Sequence, residues 1–361
     1  MRLVSTNSIE AGTILAQTIY NENGVVLIKK GMSLTERTLG RLLNQGITYI
    51  YIEDKSTTDI HAESVIPDKL RMEATETIKE TFIEIKNGGL DSRSYILNKK
   101  EKRLTDVVRR IMEEIQDSEK SISLLTDIFI NDNYVFQHSL NVTIYALAIG
   151  VELNLSTKEL TEVGLGAMLH DIGKIFIDPE ILQKPDNLTD EEYEIIKGHT
   201  QIGYDFLRKH LDIPTVISHC AYQHHERLDG SGYPRGLKGE DIHIYAKLIG
   251  IADVFDAVTS NRVYRDAMLP HEGMEVLYAG AVRLFDKDMI EAFKRSIAVY
   301  PVGLTVELSD GREGVVLRQN QALCDRPVIR ILKEKGCRIE APYEADLSTV
   351  LNVTVTACFT A

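Results

Sequence analysis

Apolar and polar residues change their spacing along this chain, and each change marks a different kind of structure. Over residues 1–54 short alternating runs dominate. TILAQTIY and VVLIKKG flank the turn sequence NENG, which predicts a β-hairpin. Leu34-Thr35 opens a helix through TERTLGRLLNQ, Gly46 stops it, and ITYIYIE supplies a further strand, giving a small mixed α/β unit. The segment from Asp54 to Pro67 is polar and aperiodic and reads as a linker.

Helical spacing then takes over. Two long charged stretches, about 68–87 and 103–129, are separated by Gly88-Gly89 and a polar loop. Leu104, Val107, Val108, Ile111 and Ile115 fall along one helical face. Such connecting helices serve either to dimerise the chain and transmit a signal, or simply to pack on the next domain. The run Lys99-Lys100, Lys102-Arg103 reads as a solvated loop. From about 130 to 300 the period is helical throughout. Ser156 with Glu159, and Thr189 with Glu192, form capping boxes that open helices, and Pro214 and Pro270 suit a first helical turn. The one long interruption, from Glu226 to Asp241, is rich in glycine and reads as an ordered functional loop. After Pro301 alternation returns: LTVELSDGREGVVLRQ turns at Asp310-Gly311, and VIRILKEKGCRIE and LNVTVTACF continue the pattern. The expected architecture is multidomain and mainly α. It comprises an N-terminal α/β unit (1–54), a linker with connecting helices (55–129), an all-α helical core (130–300) and a β-rich C-terminal appendix (301–361).

Composition narrows the function classes. A chain of 361 residues accommodates two or three domains, and 43% hydrophobic with 26% charged residues is ordinary globular material. A net charge of −13 argues against polymeric nucleic acid as a partner. Cys220, Cys324, Cys337 and Cys358 show no metal-type or disulfide-type spacing. No signal-peptide pattern opens the chain, and the longest apolar run, VTIYALAIGV from Val142, is about half a membrane span. A cytoplasmic protein with no membrane segment is expected.

Chemistry concentrates in the helical core. His138 lies in FQHSLNVT, His170 and Asp171 in LHDIGK, His199 in KGHTQIG, His224 and His225 in HHERLDGSGYP, and Asp253 in IADVFDA. Each falls on or beside a different predicted helix, and a helical bundle can aim all of them inward. Imidazole nitrogens with carboxylate oxygens suit first-row transition metals, and two such ions side by side cleave phosphate esters. On a helix His170 and Asp171 would project about 100° apart, allowing Asp171 to bridge two ions. Lys174, three residues on, would reach the same side, its ammonium suited to a phosphate oxygen. Glu226 either orients a ligand histidine or is exposed, and Asp229-Gly230 reads as an ordinary turn.

HSLNV, LHDIGK, HTQIGYDFL, HHERLDGSGYPRGLKGEDI and IADVFDAVTSNRVYR closely resemble the HD-GYP subgroup of the HD superfamily of metal-dependent phosphohydrolases. The resemblance covers about residues 130–300 and implies an HD-type helical catalytic core. It implies hydrolysis of cyclic di-GMP to pGpG, or onward to GMP. Carried over by position, it makes His138, His170, Asp171, His199, His224, His225 and Asp253 the metal ligands, with Asp171 bridging and, with Lys174, catalytic. Lys174, Gly232, Tyr233, Pro234, Arg262 and Arg265 become substrate contacts. Two divalent transition-metal ions are implied, iron or manganese by preference, with zinc, nickel or cobalt also suited to these donors. Some members hold a third metal with a glutamate where this chain has Tyr134, so two metals are expected. Rival expectations are a phosphodiesterase for another cyclic dinucleotide and a non-catalytic cyclic di-GMP sensor. A homodimer through the connecting helices and a protein partner for the N-terminal unit are further expectations.

Overall fold

Hydrophobic residues near the start of the chain do not form the hairpin alone. Strand β1 (Arg2–Ser5) pairs antiparallel with β4 (Tyr49–Ile52). The computed structural model describes residues 1–20, 26–62, 64–88, 90–118, 122, 134–182, 184, 186–209, 213–260, 267–320 and 323–360, with backbone alone at 90–94 and 134. TILAQTIY is not one strand. Only β2 (Ile19–Tyr20) pairs with β3 (Val26–Ile28), because Ile14 bridges Ser33 while Leu15 bridges Ile52, so the segment crosses between two ribbons. The NENG turn lies outside the described residues. Helix α1 (Glu36–Asn44) is capped by the Thr35 hydroxyl, which accepts the Thr38 N–H at 3.2 Å. Leu15, Ile19, Leu34, Leu39, Leu42, Ile47 and Ile50 form its core. Between Asp54 and Pro67 no helix or strand occurs among the described residues, yet Thr57, Ile60 and Ile66 are buried, so this stretch packs rather than dangles.

Helix α2 (Asp68–Asn87) matches expectation, whereas α3 (Leu90–Asp117) begins well before residue 103. The lysine-rich run is therefore helix, not loop. Its residues are good helix formers, and they pair across to α2. Lys100 Nζ lies 2.8 Å from Glu84 and 3.3 Å from Glu80, and Arg103 lies 2.8 Å from Glu80. Leu104, Val107, Val108, Ile111 and Ile115 are all buried in the core shared with the later helices. That apolar stripe is spent within the chain.

The core continues through α4 (Tyr134–Glu152), α5 (Thr157–Leu169), α6 (Pro179–Leu182), α7 (Asp190–Lys197), α8 (His199–Leu207), α9 (Thr215–Gln223), α10 (Ile244–Thr259), α11 (Pro270–Ala279) and α12 (Lys287–Ser296). Both predicted capping boxes are present, opening α5 and α7. Pro270 sits in the first turn of α11, while Pro214 is one step earlier, as the cap of α9. The last unit is a five-stranded antiparallel sheet of β5 (Thr305–Leu308), β6 (Arg312–Arg318), β7 (Val328–Glu334), β8 (Cys337–Asp346) and β9 (Val355–Phe359), in the order β8-β7-β6-β5-β9. Its inner face, with Val306, Val316, Ile329 and Ile331, shares a core with Met1, Leu3 and Tyr51. The two flanking units, distant in sequence, thus dock on one another; the Tyr51 hydroxyl donates to Val302 O at 2.9 Å. No described helix is long and apolar enough to cross a membrane.

Candidate metal centre

Helix ends deliver most of the site. His170 is the C-cap of α5, and Asp171 opens a short 3-10 turn, Ile172–Phe176, rather than continuing an α-helix. That turn brings Lys174 back over Asp171, with Nζ 2.6 Å from Oδ2. Gly173 is required there. A Cβ at this position would fall 2.0 Å from His199 O and 2.8 Å from Gly203 N, so only glycine lets the turn lie against α8. His199 is the first residue of α8 and His224 the C-cap of α9, with His225 just beyond. His138 and Asp253 project from within α4 and α10.

These side chains converge on Asp171. Its Oδ1 lies 3.3 Å from His199 Nε2 and 3.8 Å from His224 Nε2. Its Oδ2 lies 3.3 Å from His170 Nε2 and 3.5 Å from His138 Nε2. Asp253 places Oδ1 3.1 Å from His138 Nε2 and Oδ2 3.6 Å from His225 Nδ1. Two triads could each hold an ion: His199 with His224 and His225, and His138 with His170 and Asp171, all with donor atoms within 4.8 Å of one another. The Lys174 and His225 side chains are each 16% exposed, the other members less than 10%, so these two mark the open side.

The donors are arranged for cations rather than for each other. Nδ1 of His170, His199 and His224 donates to the carbonyls of Ala167, Ile196 and Cys220 at 2.6, 2.7 and 3.1 Å. Each Nε2 therefore keeps its lone pair and points inward. His199 Nε2 and His224 Nε2 then face each other at 3.4 Å, two acceptors with nothing of the protein between them. His170 Nε2 and Asp171 Oδ1 are buried with no hydrogen-bond partner. Burying unsatisfied polar atoms is costly, and a divalent ion in each triad would satisfy them. The residues fit two transition-metal ions.

Electrostatics agree. Burial opposes ionisation of Asp171, but the Lys174 ammonium and the imidazoles crowded around the carboxylate, His170 first, outweigh it and hold the carboxyl well below its usual range. Asp253 is likewise held low against burial, chiefly by His138. Burial, then neighbouring imidazoles, push His224 and His225 well down, leaving them neutral with free lone pairs. His138 goes the other way. Burial disfavours its charge, yet hydrogen bonds to Asp253 and Asp256 push its pKa up to about 9.

The glycine-rich loop forms one wall. Tyr233 stacks on His225, ring centroids 4.6 Å apart at 28°, and Lys197 Nζ sits 5.7 Å from the Tyr233 centroid. Gly232 crosses the HHE segment so closely that a Cβ would meet His225 O at 2.4 Å. Pro234 follows through a cis peptide bond. Glu226 does neither of the things its sequence suggested. Its carboxylate is buried and accepts the main-chain N–H groups of Arg235 and Leu237 at 2.8 and 2.9 Å, pinning the loop. Asp229 makes the expected turn, accepting from Ser231. Arg262, Arg265 and the Tyr134 side chain lie outside the described residues.

Two residues escaped the sequence reading. Asp256 accepts from His138 Nδ1 at 2.7 Å, and Asn141 Nδ2 donates to Asp256 at 2.8 Å. Each stands three residues after a predicted ligand, Asp253 and His138, which is the same helical side. That spacing was the available signal.

Helices that turn histidines and aspartates into one shared space define a metal-binding helical domain of the HD class. A family model described as HD domain matches residues 91–289, so the chain belongs to this family and, with its unbroken Gly232-Tyr233-Pro234 loop, to the HD-GYP subgroup. A cyclic di-GMP phosphodiesterase of Pseudomonas aeruginosa is 32% identical over 240 residues, 66% of this chain and 58% of the relative. A cyclic di-GMP phosphodiesterase of Thermotoga maritima is 42% identical over 146 residues, 40% of each. The chain thus spans about half the length of the curated relatives it matches. An HDG"Y"P protein from Bdellovibrio bacteriovorus shares the fold, with TM-score 0.51 and 18% identity over 81% of this chain and 97% of that one.

Proposed function

We propose that this chain is a phosphodiesterase hydrolysing cyclic di-GMP to pGpG, or onward to GMP, at a dinuclear metal centre. The observation that carries it is Asp171: each of its oxygens faces a separate set of imidazole nitrogens, with one oxygen and His170 Nε2 left unpaired inside the protein. His138, His170, His199, His224, His225 and Asp253 would complete the ligand set, with Asp171 as the proposed bridging residue. Iron or manganese is our preferred metal, and two ions per chain the expected number. Bound there, such ions supply Lewis acidity toward a phosphoryl oxygen and bring the pKa of water toward neutrality.

The protein's own groups do the rest. Lys174, paired with Asp171 and partly open to solvent, keeps the bridging carboxylate ionised and offers its remaining N–H donors to a phosphate oxygen. Tyr233, stacked on His225, walls the site and presents an aromatic surface to a base. Arg262 and Arg265 are proposed to bind the second phosphate, the residues a cyclic dianion needs on a chain of net charge −13. Cyclic di-GMP is favoured by the relatives at 32% and 42% identity, both named for that activity. The test is metal analysis of anaerobically purified protein, followed by chromatography of products from cyclic di-GMP and, in parallel, cyclic GMP–AMP. Two metals and release of pGpG are expected. Faster cleavage of cyclic GMP–AMP would reassign the substrate, and tight binding without products from either would make the chain a sensor.

A further inference from the structure

We propose that Asp256 is the positioning residue of the metal centre: its carboxylate sets the tautomer and aim of His138, and Asn141 in turn fixes the carboxylate. The inference rests on the metal-binding reading above, but concerns residues outside the ligand set.

His138 differs from its neighbours in where it sits. His170, His199 and His224 stand at or beside helix ends and use main-chain carbonyls three or four residues back to hold Nδ1. Near helix ends carbonyls have acceptor capacity to spare, and Cys220 O takes both the His224 N–H and its imidazole. His138 lies inside α4, and the partner of its Nδ1 comes from another element. Helix α10 supplies it. Asp256 is 1% exposed, and Oδ2 accepts the His138 Nδ1–H at 2.7 Å. Nε2 is thereby turned toward Asp253 at 3.1 Å and Asp171 at 3.5 Å, and it is the nitrogen whose lone pair an ion would take in place of a proton.

The carboxylate is itself fixed. Oδ1 accepts from Asn141 Nδ2 at 2.8 Å and from the Ser260 hydroxyl at 2.9 Å. The Asn141 amide cannot turn over without loss, because its oxygen accepts from Gln137 Nε2 at 3.0 Å. Every donor and acceptor from Gln137 to His138 is thus assigned: amide to amide, amide to carboxylate, imidazole to carboxylate. A carboxylate behind an imidazole also makes it a stronger ligand than a carbonyl does, and among these four histidines His138 is the one whose Nδ1 is backed by a carboxylate. The order runs from packing to chemistry. Helix α4 is held against α10 by this buried chain, and the same chain decides which nitrogen of His138 is offered to an ion.

The test exploits the assigned pattern. Asp256→Asn puts an amide N–H against a neighbour that is already a donor, either His138 Nδ1 or Asn141 Nδ2. The exchange Asp256→Asn/Asn141→Asp restores complementarity, because the new amide can accept from His138 and donate to the new carboxylate, which still accepts from Gln137. In the full-length chain, Mn²⁺ affinity is read by competition with a chromophoric chelator and Mn²⁺ content by elemental analysis. Asp256→Asn should weaken one of the two ions by about 10–100-fold. The exchange should recover at least about tenfold of that loss. Wild-type affinity and stoichiometry in Asp256→Asn would overturn the proposal, as would an exchange variant no better than the single one. If Asp256→Asn does not fold, the exchange decides: folded and Mn²⁺-loaded supports the assignment, unfolded or metal-free overturns it. A wild-type chain that took up no Mn²⁺ would sink the metal reading and this inference together, whereas normal wild-type binding with Asp256→Asn unaffected would sink this inference alone.

Discussion

Removing the Glu226 carboxylate should release the loop that walls the site without unfolding the domain. Glu226 is 5% exposed and accepts two main-chain N–H groups, from Arg235 at 2.8 Å and Leu237 at 2.9 Å. Hydrogen bonds to a charged acceptor contribute roughly 1.5–3 kcal/mol each, so the pair sets an upper range of roughly 3–6 kcal/mol. Arg235 is exposed, so water partly replaces its partner, and we take about 2–4 kcal/mol for Glu226→Ala. At 1.4 kcal/mol per decade this is about a 30- to 700-fold rise in the population of the opened loop. Hydrogen exchange reads it directly. The Leu237 amide should lose protection by that factor in Glu226→Ala, while amides of α4 and α10 keep theirs. Glu226→Gln, with one acceptor oxygen, should lose about half the free energy. Because the loop carries Tyr233 onto His225, substrate KM should rise with metal content unchanged. Leu237 exchange at the wild-type rate in Glu226→Ala would refute the pinning role.

Other perturbations separate the remaining parts. Asp171→Ala should abolish turnover and lower metal content, since one triad loses its carboxylate and the other the oxygen that faces His199 and His224; hydrolysis near the wild-type rate with metal supplied would refute the bridging role. Lys174→Ala should cut turnover by about 10²-fold or more while two metals stay bound, a figure typical of losing one preorganised charge at a reacting group; loss of metal would make the lysine a support for the ligands instead. Gly173→Ala should destabilise the domain by about 1–3 kcal/mol in urea titrations, since the added Cβ meets main-chain atoms that cannot rotate aside; an unchanged midpoint would refute the close approach. The contact between the segment that follows the N-terminal unit and β7 is pH-dependent. Hydrogen bonding from Arg330 holds the Asp59 carboxyl at about 2, below its unfolded value, so its contribution is complete above about pH 4 and is lost as pH falls toward the folded value. The pair is exposed, so it is worth less than about 1 kcal/mol. The stability gap between wild type and Asp59→Asn should shrink below about pH 4, and a gap that grows on acidification would contradict the pairing.

How much could be read before the fold was seen follows from the range of each interaction. The convergence of the histidines and aspartates was legible because each carries its chemistry in its own side chain. His170 and Asp171 announce themselves even though they sit on a helix cap and a 3-10 turn rather than on one helix. Capping boxes were legible for the same reason: Ser156 with Glu159, and Thr189 with Glu192, close within one turn. What escaped was set by contacts between distant segments. The lysine-rich run of α3 looks like a loop in isolation and becomes helix because Glu80 and Glu84 of α2 lie opposite it. Strand β1 is four residues long and gains its partner only when Tyr49–Ile52 returns to it. Glu226 showed its charge but not its acceptor role, since the N–H groups it holds belong to a loop nine and eleven residues away. Asp256 is the sharpest case. Its type and its spacing from Asp253 were visible, but nothing local says that its partner is His138, 118 positions earlier. A metal-type side chain is recognisable from what it offers an ion; the residue that aims it is recognisable only once two distant helices are brought together.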